Sequence, residues 1–182
     1  YTTRRAAFPV IPGAEWLFEN IHPLHPIVKG GGHRDGAWMS AIKDITQLGK
    51  LIAHQHGWAA AKAFKAYEMA EADRTVLSHC AIDLLKIFPP VPGACALMSA
   101  ALAVSLERHM KAPIHVVAGT LAVEGQPVFG DRQPFDGSGV FSTSSPDWDG
   151  HAWVMIGPYV VDISIFRTAY SAQGPARLVR HV

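Results

Sequence analysis

Three residues of this chain have types and spacing suited to nucleophilic chemistry: Cys95, His151 and Asp162. Cys95 follows PPVPGA and opens the run CALMSAALAVSLERHM, which reads as a largely apolar helix buried on most of its surface. The start of a helix carries partial positive charge and unpaired N–H groups. A thiolate is stabilised there. The same N–H groups can hold an oxyanion formed beside the sulfur. The second cysteine, Cys80, falls on an apolar stripe with Leu77, Ala81, Leu84 and Leu85. It reads as a small buried hydrophobe.

His151 and Asp162 bracket the stretch DGHAWVMIGPYVVDIS, residues 149 to 164, which reads as two strands around a turn at Gly157 and Pro158. Ile156 then faces Tyr159. Side chains alternate along a strand, so Ala152, Val154, Ile156, Tyr159, Val161 and Ile163 share a core face. His151, Trp153, Met155, Val160, Asp162 and Ser164 share the other. Asp162 becomes the diagonal neighbour of His151, within reach of contact. A carboxylate on one ring nitrogen sets the tautomer and supports the imidazolium, the base-and-orienter half of a triad. The plain alternative is a solvated surface pair worth little. Trp148 and Trp153 flank His151 and either wall a substrate cleft or simply cover the hairpin.

The elements that must position these groups follow from composition. Residues 1–37 are rich in Pro, Gly and His and read as an irregular arm. Residues 38–55 place Ile42, Ile45, Leu48 and Ile52 at helical spacing. A break at Gly57 follows, then an Ala-rich helix over 58–71 and another helix over 74–87, stopped by PPVPG. After the Cys95 helix, PIHVVAGTLAVEG is β-branched and predicts one or two strands. Residues 129–149 are polar and read as a long loop of the kind that often serves function. The last residues, 177–182, suggest a final strand. Helices first, then a central helix, then antiparallel strands imply an α+β domain over 38–182.

Composition excludes several other functions. The 182 residues are 49% hydrophobic and 17% charged, with net charge +1. That describes an ordered globular chain with no global pull toward nucleic acid. No apolar run approaches the ~20 residues of a membrane span. Two cysteines read as reduced thiols, so a cytoplasmic protein is expected; a start upstream of Tyr1 is left open. Ten histidines invite a metal, but His22, His25, His54, His56 and His79 lack the spacing of a zinc site. GGGHRDG lacks the context of a phosphate cradle. Asp131, Asp136, Asp147 and Asp149 lack calcium-loop spacing. No cofactor and no metal is expected.

The set GACALMSAALAVSLERH (93–109), PIHVVAGTLA (113–122), GHAWVMIG (150–157) and YVVDIS (159–164) resembles the transglutaminase-like superfamily of papain-fold cysteine enzymes. The resemblance covers roughly residues 93–166 and implies a papain-like α+β fold. By it, Cys95 is the nucleophile, His151 the general base and Asp162 the orienter. It implies a cysteine-dependent acyl-transfer enzyme acting on a protein or peptide, with amide hydrolysis favoured. An amine acceptor in place of water, or a non-catalytic binding module on the same fold, are the alternatives. The pattern departs from papain, which has a Gln shortly before its Cys; residues 86–94 contain none. Trp38, Gln47, Gln55 and Trp58 are the upstream candidates for the second oxyanion donor. The Arg-Gly-Gly-x-Cys signature of arylamine acetyltransferases is absent.

Overall fold

The computed structural model describes residues 35–90, 93–123, 126–129 and 150–169, with the backbone alone at 35–44, 122–123 and 126–127. Trp148, the stretch 130–149 and the expected strand at 177–182 lie outside the described residues. Four helices come first: α1 Asp35–His56, α2 Trp58–Ala66, α3 Glu71–Ile87 and α4 Cys95–Glu107. Strands β1 Ile114–Gly119, β2 Leu121–Val123, β3 Gln126–Phe129, β4 His151–Ile156 and β5 Tyr159–Val161 follow, and α5 Ser164–Ala169 closes the described chain. The protein is α+β, as expected.

Several boundaries differ from the expectation. α1 begins at Asp35, inside the stretch read as an irregular arm. α2 stops at Ala66 instead of continuing to 71, although the sequence there favours helix. Tertiary packing overrides propensity at this point. The Tyr67 ring packs edge-on against Tyr159, with centroids 6.2 Å apart, and its hydroxyl donates to Asp73 at 2.7 Å. Asp73 in turn accepts the Ala70 N–H at 3.4 Å, so α3 starts at Glu71 rather than 74. Phe129, read as the first residue of the long loop, ends β3 instead.

The main sheet has the order β1-β4-β5, all antiparallel, and β2 and β3 form a separate two-stranded ribbon. Ile156 pairs with Tyr159 and Val154 with Val161, the expected hairpin register. Gly157 takes the turn at φ 54°, and a Cβ there would fall 2.6 Å from the Tyr67 ring, so two constraints require glycine. On one face, Val154, Ile156, Tyr159, Val161 and Ile163 join Met98, Leu102 and Leu106 of α4 and Leu77, Cys80 and Ala81 of α3 in the main core. α4 is less enclosed than its composition suggests, since Leu97 is 65% and Val104 49% exposed.

The other face is also covered. Met155 packs with Ile52, Ala61 and Phe64 in a second core, bordered by Val117, Trp153 and Val160. Helices therefore lie on both faces of the sheet, and α1 and α2 cover the face on which His151 stands. Among the described residues no helix is long and apolar enough to cross a membrane.

Candidate active site

His151 is the first residue of β4 and pairs with Gly119, the last residue of β1, so its ring stands at the end of the sheet. Its Nε2 lies 2.5 Å from Asp162 Oδ2. Asp162 follows the last residue of β5, and its other oxygen accepts three hydrogen bonds: the Ser164 N–H at 3.0 Å, the Ser164 hydroxyl at 2.8 Å and the Ile165 N–H at 3.1 Å. Those donors start α5, a helix where the sequence suggested strand continuing through Ser164. The carboxylate is thereby clamped on one side and aimed at the imidazole on the other.

The imidazole's second partner is the Cys95 thiol. His151 is 1% exposed. Burial is the largest single influence and disfavours its charge, but the hydrogen bonds and negative charge of Asp162 and Cys95 outweigh it and push the pKa up to about 9. The site favours an imidazolium between a carboxylate and a sulfur.

Cys95 is the first residue of α4 and is buried. Ala94 precedes it and offers no side-chain acceptor, so no cap from that position takes up the N–H groups of the first turn. One turn further, the Ser99 hydroxyl donates to the Ala152 carbonyl at 2.9 Å. That bond joins the turn after the cysteine to the residue after the histidine. Sequence reasoning did not single out Ser99; a hydroxyl four residues from the nucleophile on an otherwise apolar helix was the available signal.

Two aromatic rings flank the imidazole. Phe129 stacks on it almost in parallel, with centroids 5.0 Å apart and planes 11° off. Trp153 is tilted by 30° at 6.2 Å. Trp153 also borders the second core, which fits the covering role. Its ring crosses Gly119: a Cβ on that glycine would fall 2.6 Å from Trp153 Cη2. Phe129 carried no signal in the sequence, because its strand is short and adjoins the polar stretch.

Among the described residues, the remaining candidates are not gathered at this site. Cys80 is free and buried in the main core, as expected of a packing residue. Gln47, Gln55 and Trp58 are exposed on α1 and α2, and the Trp38 side chain lies outside the described residues. His56 stands against His115, with ring centroids 5.8 Å apart. Among the described residues no three His, Cys, Asp or Glu side chains gather as a metal site would require. His22, His25, Asp131, Asp136, Asp147 and Asp149 lie outside the described residues. No protein-family model matches this chain, and neither the curated proteins nor the solved structures returned a match. A thiol at an uncapped helix start, a base beside it and a carboxylate behind the base are together equipped for attack on a carbonyl carbon.

Proposed function

We propose that the protein is a cysteine-dependent acyl-transfer enzyme of papain-like, transglutaminase-like architecture, with amide hydrolysis as its favoured reaction. The observation that carries the reading is the chain of contacts from Asp162 through His151 to Cys95 at the start of α4. A solvated His–Asp pair would not need this burial, nor a thiol beside the ring.

Cys95 Sγ attacks the carbonyl carbon, and the carbonyl electrons move to oxygen. The N–H groups at the start of α4 stabilise that oxyanion. His151 gives its proton to the leaving nitrogen as the C–N bond breaks, leaving a thioester. Water then attacks, His151 takes its proton, and the C–S bond breaks to release a carboxylic acid product. Asp162 holds the ring in the tautomer that both transfers need. A protein or peptide amide is the substrate class this reading favours.

The test is the rate of iodoacetamide alkylation against pH, with mass spectrometry separating Cys95 from Cys80. An imidazolium partner favours attack by the sulfur, so at neutral pH Cys95 should be alkylated faster than a free cysteine while Cys80 stays protected. If Cys95 instead follows the profile of a free thiol near ~8.5, or is inert in the folded protein, the enzymatic reading fails and a binding module on this fold takes its place.

A further inference from the structure

The nucleophile and its base are closed off. Cys95 is 6% and His151 1% exposed. A carbonyl carbon must come within roughly 3–3.5 Å of the sulfur to react, so some element has to move. α4 is a poor candidate, because Met98, Leu102 and Leu106 are fully buried in the main core. β4 is no better, since it is paired on both sides, to β1 and to β5. The Ser99 bond to Ala152 ties these two elements together.

The β2–β3 ribbon is different. Its strands pair with each other and not with the main sheet. One exposed residue, Thr120, separates it from β1, and its pairing shifts register between Leu121 and Ala122. A lone two-stranded ribbon has little stability of its own. Its final residue is Phe129, which lies flat on the His151 ring.

We infer that the β2–β3 ribbon is a lid over the reactive sulfur and that the stack of Phe129 on His151 is its latch. The inference rests on the reading of Cys95 and His151 as nucleophile and base. Trp153, fixed in the second core, stays in place while Phe129 lifts. An aromatic face attracts a cation stacked against it. The latch is therefore tightest while His151 carries its proton. It loosens once that proton has passed to the leaving nitrogen, when the first product must depart and water must enter.

The experiment compares two thiol reagents of different size on the whole protein, iodoacetamide and a fluorescein maleimide. Both react with the thiolate, so the ratio of their rates at Cys95 reports access and cancels ionisation. Phe129→Ala raises the bulky-to-small ratio about tenfold or more by populating the open lid, and Phe129→Leu raises it less. An unchanged ratio in a folded variant overturns the latch. Cys80 is the folding control, because its buried thiol reacts only if the core opens. Hydrogen exchange on the unaltered protein gives an answer independent of any substitution. The lid requires β2 and β3 amides to exchange about 100-fold or more faster than those of β1 and β4, and equal protection overturns it. Failure of the enzymatic reading appears elsewhere, in the pH profile of iodoacetamide alone.

Discussion

One oxygen of Asp162 faces His151 while the other gathers three donors at the start of α5. These two duties can be separated by substitution. Asn keeps an acceptor for the Ser164 and Ile165 N–H groups but loses the charge that supports the imidazolium. Asp162→Asn should lower turnover or Cys95 alkylation by about 10²–10⁴-fold, and it should lower melting near neutrality because the charge that supports the His151 imidazolium is lost. Asp162→Ala loses the helix start as well and costs about 1 kcal/mol more in stability. Kinetics and thermal melts on the two variants check this; equal activity losses without a stability difference would reject the separation. The half of this residue that faces His151 is legible in the sequence, because parity alone puts His151 and Asp162 on one face. Its capping half is not. The β-branched run YVVDIS reads as strand through Ser164, and nothing local announces that the chain turns into a helix after Asp162.

Two contacts between elements set where Cys95 and His151 meet. Ser99→Ala removes the bond from α4 to β4, for a loss of about 1 kcal/mol in urea unfolding. Its larger effect should be on the Cys95 alkylation rate at neutral pH, since the lost bond lies one turn from the sulfur. A variant that loses stability but keeps the full rate would show that packing alone aligns the two elements. Gly119→Ala tests the other side. The added Cβ meets the Trp153 ring at 2.6 Å, and a rigid indole packed in the second core cannot yield without disturbing its neighbours. A cost of about 1–3 kcal/mol is expected, together with a shift of the His151 ring resonances. Unmoved resonances would mean that Trp153 does not position the ring. The hairpin register and turn could be read from alternation and from Gly157-Pro158. The two contacts could not, since neither a side-chain bond to a carbonyl on another element nor an indole lying across a glycine has a periodic signature.

Across the whole molecule, the sheet is enclosed on both faces. Alternation in β4 separates them, and the core face lies as alternation places it. Alternation cannot tell whether the second face meets water or another layer, which depends on where α1 and α2 return in space. Met155 and Val117 are apolar residues on that face and, with hindsight, the trace of its cover. The layer also encloses a second histidine. His115 lies beside Phe64 and His56, its Nε2 is buried with no hydrogen-bond partner among the described residues, and burial, helped by His56 and opposed by Glu107, lowers its pKa. The two histidines therefore bound stability in opposite directions. His151 has a folded pKa of about 9, above the 6.5 of an unfolded histidine, so its contribution is complete below 6.5 and is lost as pH rises through 9. His115 has a folded pKa below the unfolded value, so the unfolded chain binds the proton first and stability falls as pH drops below 6.5. Urea midpoints measured from about pH 5 to pH 10 should thus decline on both sides of neutrality. Asp162→Asn should flatten the alkaline decline and leave the acid one. His115→Leu, which replaces the unpartnered ring by an apolar side chain, should flatten the acid decline and leave the alkaline one. If either substitution alters both limbs equally, the two histidines do not act through separate layers of the fold.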